Sequence, residues 1–314
     1  MKVFRSFFLP ENLKNSVIAI GNFDGLHKGH LQVINKALEI SENKKLKVGV
    51  MTFEPHPKSY FSQRYDFFRL TPFRSKYELL KKMKIDFLLS IRFDEKLVKI
   101  SAKEFLEKIL TDKLKVNHVV TGFDFVFGNN QLGDVKLIRG YCKTNKTFDF
   151  SEVSELRENN LEVSSSLVRN YLRKGNIEHA NNILSRKWEV TSRVVSGEKK
   201  ARMLGFRTAN LKINNYCDLK FGVYAVKVTF LKKFTKKNLY GIANYGVKPT
   251  FKKKYPILEI HIFNFNEEIY GKKIKVSFIN FIRSEKKFES IEKLKDQIIK
   301  DINSVKNNEL FKNN

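Results

Sequence analysis

Val17-Ile18-Ala19-Ile20, followed by Gly21-Asn22-Phe23-Asp24-Gly25-Leu26-His27-Lys28-Gly29-His30, decides the fold. An apolar run ends in a glycine-rich turn, and the turn opens a helix-like stretch beginning at Leu31. Gly21, Gly25 and Gly29 remove side chains where backbone N–H groups would approach an anion, and a helix starting there adds its positive dipole end. Two histidines three apart suit such a place. Each can donate to phosphate oxygens and add positive charge as negative charge develops on an α-phosphate under attack. The turn therefore predicts a nucleotide site, and the histidines predict nucleotidyl transfer. A metal pair is the competing reading of His27 and His30, but the neighbouring sequence supplies no obvious further ligand set.

Working outward, Val48 to Phe53, Phe87 to Phe93 and Val116 to Phe123 read as buried strands. Between them Thr71-Pro72 predicts an N-cap with proline at the first helical position. Ser101-Ala102-Lys103-Glu104 predicts a capping box, followed by Phe105, Leu106 and Ile109 at helical spacing. Alternating strand and helix implies an α/β domain with a parallel sheet of the doubly wound type, and the opening turn then lies at a carboxyl strand end, where such sheets bind ligands.

The second half changes period. Tyr224, Val226, Val228 and Phe230 alternate with Ala225, Lys227 and Thr229, and Ile274, Val276 and Phe278 alternate with Lys275 and Ser277. These predict antiparallel strands closed into a small β-barrel. Ile291, Leu294, Ile298, Ile302 and Val305 share one helical stripe, so a terminal helix should pack on that barrel. The pattern switches near Ser185 to Trp188, which divides the chain into domains 1–184 and 185–314. No internal repeat is visible.

Of the 314 residues, 42% are hydrophobic, enough for a substantial core. Arg5 and Pro10 interrupt the apolar start of the chain too early for a signal peptide, and no later run reaches membrane-spanning length. Cys142 and Cys217 are the only cysteines and share no partner motif, so a reducing cytoplasm is expected. The net charge of +27 is spread along the chain. Its densest clusters, Lys232-Lys233, Lys236-Lys237 and Lys252-Lys253-Lys254, fall where exposed hairpin ends are expected. No aromatic-basic interleaving marks an RNA-binding module, so anionic nucleotides are the expected partners, with no specific nucleic acid and no membrane. A monomer or weak homo-oligomer is expected.

Val163-Ser164-Ser165-Ser166-Leu167-Val168-Arg169 opens another amphipathic helix. A serine N-cap would explain the hydroxyls alone, but Arg169 within the first turn lets hydroxyls, free N–H groups and a guanidinium converge on phosphates. With the first turn, this resembles the two phosphate-binding signatures of the nucleotidyltransferase superfamily that shares an H-x-G-H motif. Thr52-Phe53-Glu54-Pro55-His56-Pro57, and Gly122-Phe123-Asp124-Phe125-Val126-Phe127-Gly128 with Gly133-Asp134, look like the flavin-side motifs of prokaryotic FAD synthetase. Leu204-Gly205-Phe206-Arg207-Thr208-Ala209-Asn210, Gly222-Val223-Tyr224, Gly241-Ile242-Ala243-Asn244, Pro249-Thr250-Phe251 and Leu258-Glu259-Ile260-His261 are similar to the riboflavin kinase module. In order and length the chain resembles the bifunctional riboflavin kinase/FAD synthetase family.

The resemblance implies a Rossmann-like domain that adenylylates FMN to FAD, releasing pyrophosphate, and a barrel that phosphorylates riboflavin with ATP, releasing ADP. It implies ATP contacts at Gly21, Phe23, Asp24, Gly25, His27, Gly29, His30, Ser164, Ser165, Ser166 and Arg169, with His27, His30 and Arg169 acting on the transferred phosphate. In the kinase module it implies Gly197, Arg202, Gly205 and Tyr224 for ATP. It implies Phe53, His56, Gly122, Asp124, Phe127, Glu259 and Arg283 for the flavins. Glu259 stands between Leu258 and Ile260 and should face away from them, the ordinary place of a solvent-facing carboxylate; the resemblance makes it the base for the riboflavin hydroxyl. Thr208 and Asn210 share one face of an extended segment, and the resemblance makes them ligands to Mg2+, which commonly takes only one or two protein oxygens.

The match has departures. Arg207 stands where the family has proline, Ala201, Ser192 and Ser185 stand where glycines are usual, and Val126 and Gln131 replace arginines. A positive φ at a former glycine would cost roughly 1–2 kcal/mol. Two functions therefore stay open: a working bifunctional enzyme, or an FMN adenylyltransferase whose barrel only binds flavin or nucleotide.

Overall fold

Six apolar runs of the first half pair as strands, all of them parallel, in the order β1-β4-β3-β2-β5-β6. They are β1 (Lys2–Phe4), β2 (Val17–Ile20), β3 (Val48–Glu54), β4 (Phe87–Arg92), β5 (His118–Gly122) and β6 (Asp149–Val153). The computed structural model describes residues 1–63, 66, 68–196, 205–231, 239–247 and 255–307. It divides into two units, Met1–Ser165 and Ser166–Asn314, and the division falls at the start of a helix, upstream of the change in periodicity. Helices cover both faces of the sheet, which is why β2 and β3 are apolar at successive positions rather than alternate ones. Val17, Ala19, Val48 and Val50 enter one core, and Ile18, Ile20, Met51 and Phe53 enter the other. Close packing is visible at Gly49, where a Cβ would lie 2.3 Å from the Phe87 ring.

Strand order reverses between β2 and β5, and such a reversal opens a crevice at the carboxyl ends of the strands. The three motif loops leave β2, β3 and β5 there. Helix α1 (Lys28–Lys44) begins three residues before Leu31 because His27 already serves as its N-cap. Helix α2 (Pro57–Ser62) follows β3, and α3 (Phe73–Lys82) starts one residue after Pro72, so Thr71 is not its cap. Ser101 and Glu104 form the predicted capping box, but the helix beyond widens to π-helical hydrogen bonding over Phe105–Lys113.

The second unit has helices Ser165–Lys174 and Ile177–Leu184, apart from Ser165 itself, and a closed antiparallel barrel. Its strands are β9 (Glu189–Val195), β10 (Ala209–Lys212), β11 (Gly222–Phe230), β12 (Leu239–Val247), β13 (Pro256–Ile262) and β14 (Lys273–Ser284); β7 and β8 are two-residue strands at Arg157–Glu158 and Leu161–Glu162 in the first unit. Around the barrel the order is β10-β13-β12-β11-β14-β9. Trp188, Tyr224 and Phe278 fill its interior, Tyr224 edge to face with Phe278 and Trp188 tilted against it. The terminal helix Ile291–Lys306 lays Ile298, Ile302 and Val305 against Val223, Ala225 and Ile242, while Ile291, predicted on the same stripe, is exposed. Ser185 takes φ +53° as the left-handed C-cap of helix Ile177–Leu184, the backbone state that favours glycine. Ser192 lies in β9, and its hydroxyl donates to the Lys212 carbonyl at 2.8 Å. The three lysine clusters, Gly197, Ala201, Arg202, Leu204 and Pro249-Thr250-Phe251 lie outside the described residues.

Candidate functional site

In the first unit the Gly21–His30 turn is fastened from three sides. The Asp24 carboxylate is buried and accepts from the backbone N–H groups of Leu70 (3.1 Å) and Thr71 (2.9 Å) and from the Thr71 hydroxyl (3.3 Å). Thr71 Oγ1 in turn accepts from the Gly25 N–H at 2.9 Å. Ser165 Oγ donates to the Asp24 carbonyl at 2.7 Å, which links the Val163–Ser166 motif to the turn. Gly25 has φ +89°, as its glycine permits.

His27 Nδ1 accepts from the His30 N–H at 3.4 Å, so the neutral ring carries its proton on Nε2. The two rings stack with centroids 3.6 Å apart, and Phe23, itself buried at φ +49°, meets His30 edge-on at 5.4 Å. At Gly29 a Cβ would lie 3.3 Å from the His27 ring, so only glycine leaves the stack undisturbed. Both imidazoles thus sit at the N-terminus of α1, where the backbone N–H groups of the first turn and the helix dipole favour an anion. Ser164 and Ser166 flank the start of the next helix, and Arg169 is buried one turn into it.

The flavin-side motifs occupy the neighbouring loops. His56 Nδ1 caps α2, accepting from the Lys58 N–H at 3.1 Å, and its ring packs on Phe68. Phe53 and Phe127 are core residues. The Asp124 carboxylate curls over Gly122, where a Cβ would lie 3.1 Å from Oδ1. Val126 is exposed, and Gln131 takes φ +57°.

One residue had no functional reading in the sequence. Lys76 on α3 is fully buried, and its ammonium donates to the Asn22 carbonyl (2.7 Å) and to Thr52 Oγ1 (3.0 Å) and lies 3.5 Å from Glu54 Oε1. Burial pulls it down to about 8, against the pull of Glu54. Arg69 pairs with the other Glu54 oxygen. The available signal was a lysine standing in the apolar stripe Phe73, Tyr77, Leu80.

In the barrel, β-sheet register gathers the second site. Asn210 pairs across to Glu259, and Glu259 pairs across to Asn244, so the three side chains share one face. Leu258 and Ile260 are buried on the opposite face and Glu259 is half-buried, as the alternation predicted. Asn210 Oδ1 is buried without a hydrogen-bond partner among the described residues. Thr208 and Asn210 line a cavity with Val194, Ile260 and Glu268, whereas Glu259, on the same strand as Ile260, faces the other way and is not part of that lining. Gly205 has φ +87°, and the Arg207 carbonyl lies 3.0 Å from His261 Nδ1.

Two barrel residues stand apart from that group. Tyr224, expected beside ATP, is turned into the barrel interior, where it donates to the Lys220 carbonyl and burial raises its phenol well above the ordinary value. Arg283, expected beside flavin, is held by Asp301 of the terminal helix through three hydrogen bonds, of 2.9, 3.0 and 2.7 Å.

The FAD synthetase family model matches residues 9–167, and the riboflavin kinase model matches residues 184–308. A bifunctional riboflavin kinase/FMN adenylyltransferase of Buchnera aphidicola subsp. Schizaphis graminum is 37% identical over 98% of both chains. Those of Bacillus subtilis and Escherichia coli K12 are 36% and 34% identical, covering 93% and 91% of this chain and 92% and 90% of their own. Among solved structures, one from Streptococcus pneumoniae described as a macrolide-efflux protein superposes with a TM-score of 0.85 at 25% identity, covering 97% of this chain and 98% of its own. No helix among the described residues here is long and apolar enough to cross a membrane.

Proposed function

The chain belongs to the bifunctional riboflavin kinase/FMN adenylyltransferase family, and from that membership we propose which residues carry its two reactions. The riboflavin kinase part transfers a phosphoryl group from ATP to riboflavin, giving FMN and ADP. The FAD synthetase part joins FMN to the AMP portion of a second ATP, giving FAD and pyrophosphate. A cytoplasmic location accords with ATP as co-substrate.

For adenylyl transfer, a phosphate oxygen of FMN attacks the α-phosphate of ATP and pyrophosphate leaves. His27, donating from Nε2, and His30 stabilise the charge that develops, together with the positive dipole end of α1. Ser165 and Arg169 hold the phosphates, and the loops after β3 and β5, with His56 and Asp124, receive the flavin. No covalent intermediate is needed, because in-line transfer gains from positioning and charge.

For phosphorylation, Glu259 takes the proton of the riboflavin hydroxyl as it attacks the γ-phosphate. Thr208 and Asn210 fit Mg2+: the buried Asn210 Oδ1, without a hydrogen-bond partner among the described residues, is an oxygen able to take a cation, and a magnesium site needs few others from protein. When bound, the ion supplies positive charge to the ATP phosphates. The observation that supports the assignment is the cross-strand pairing of Asn210 with Glu259, which puts these two side chains next to each other on one face.

Incubating the full chain with riboflavin, ATP and magnesium and separating the flavins tests it. FMN and FAD should both form. FAD from supplied FMN, with no FMN from riboflavin, would reduce the barrel to a binding module.

A further inference from the structure

The Lys76 ammonium has three N–H donors, and three oxygens face it: the Asn22 carbonyl, Thr52 Oγ1 and Glu54 Oε1. Those oxygens belong to the turn after β2 and to the end of β3, the two loops that open the crevice. Asn22 directly precedes Phe23, whose left-handed backbone turns its ring edge onto His30. Thr52 Oγ1 also donates to the Asn22 carbonyl, at 3.2 Å. The charged groups around the amine are Glu54 on β3, Arg69 ahead of α3, and Asp24 in the turn. Two carboxylates thus balance two cations while Lys76 is protonated. A methionine would fill the same space without a desolvation cost, so an enclosed charge here is not what packing alone requires.

We propose that Lys76 is a positioning residue for adenylyl transfer: by holding the Asn22 carbonyl against Thr52 it fixes the backbone of the Gly21–His30 turn, and so the place of His30. The inference rests on assigning that turn to adenylyl transfer. Burial holds the amine at about 8 rather than in the ordinary lysine range. Below that pH the ammonium donates to the Asn22 carbonyl and Thr52 Oγ1 and lies as a cation 3.5 Å from Glu54 Oε1. Above it the neutral amine has only two N–H groups, the cluster gains net negative charge beside the ATP phosphates, and the turn loosens.

The test measures kcat and KM for FAD formation from FMN in the full chain, from about pH 6 to about pH 10, a range that brackets ordinary and lowered lysines. Riboflavin phosphorylation by the same samples serves as the control for folding. Wild type should lose adenylyl transfer on the alkaline side with an apparent value near 8. Lys76→Met should lower kcat about tenfold at neutral pH, with the KM for ATP changed less, and should lack that alkaline limb. Thr52→Val, close in shape, should lower kcat by about threefold and move the limb, since it removes one of the three oxygens. Riboflavin phosphorylation should be unchanged in both. A Lys76→Met chain that keeps the wild-type kcat or the same limb overturns the proposal. If Lys76→Met loses both activities through misfolding, Thr52→Val with unaltered kcat and limb overturns it instead. A wild-type chain that makes no FAD from FMN overturns the adenylyl-transfer assignment itself, whereas wild-type FAD formation indifferent to Lys76 overturns only its positioning role.

Discussion

The turn after β2 and the polar row on the barrel, the two places proposed to act on ATP, are built in opposite ways. The turn is irregular backbone, and it is held by side chains from distant sequence: Thr71 and Ser165 tie Asp24 and Gly25, and Lys76 ties Asn22. The barrel row needs no such ties. Asn210, Glu259 and Asn244 are aligned by the ladder itself, because residues directly paired in antiparallel strands project to one face. A site built on a loop must buy its rigidity with buried hydrogen bonds, while a site built on a barrel inherits it, leaving an oxygen such as Asn210 Oδ1 open to a ligand.

That contrast can be broken by substitutions that should touch one site and spare the other. The largest effect is expected from Glu259→Gln, which should lower riboflavin phosphorylation by about three orders of magnitude while FAD formation from FMN persists, measured by separating flavins from parallel reactions. Loss of both reactions together would dissolve the two-site assignment. His30→Ala should do the reverse, slowing adenylyl transfer by about two orders of magnitude with riboflavin phosphorylation intact. Unchanged adenylyl transfer would remove His30 from the mechanism. Thr71→Val tests the bracing: it leaves the Gly25 N–H without its acceptor and should destabilise the first unit by about 1–3 kcal/mol in denaturant unfolding. An unaltered midpoint would show that the turn does not depend on that bond. The smallest effect is expected from Ser185→Gly, which relieves a left-handed residue and should stabilise the second unit by about 1 kcal/mol, seen as a raised unfolding midpoint. A fall in the midpoint would mean that Ser185 is held there without strain.

The parallel sheet, the capping box at Ser101 and the outward-facing Glu259 were legible because each rests on local periodicity or spacing. The π-helical turn after Glu104 was not, since hydrogen-bond pitch leaves no mark in the apolar spacing of Phe105, Leu106 and Ile109. Thr71 before Pro72 reads as a cap in sequence, but its backbone N–H and hydroxyl are drawn to Asp24 across 47 residues of chain. The surroundings of Tyr224 and Arg283 were not legible for a related reason. A motif names a residue type, whereas barrel closure turns Tyr224 inward and the terminal helix brings Asp301 to Arg283.

By itself the sequence determined the two-part architecture, the placement of a glycine-rich turn at a strand end, and the family motifs of two phosphate transfers, because these depend on patterns a few residues long. Only the tertiary structure decided which polar groups stand together. The alignment of Asn210 with Glu259 and the enclosure of Lys76 by Asn22, Thr52 and Glu54 join segments far apart in the chain, and the stacking of His27 on His30 is a local arrangement that the folded turn selects. In the last of these, the local i,i+3 spacing offers the pair, but Phe23 and the space left at Gly29 set the stack. The free energy of a buried charge or an unpaired oxygen is fixed by what surrounds it, and that is set when strands and helices close on one another.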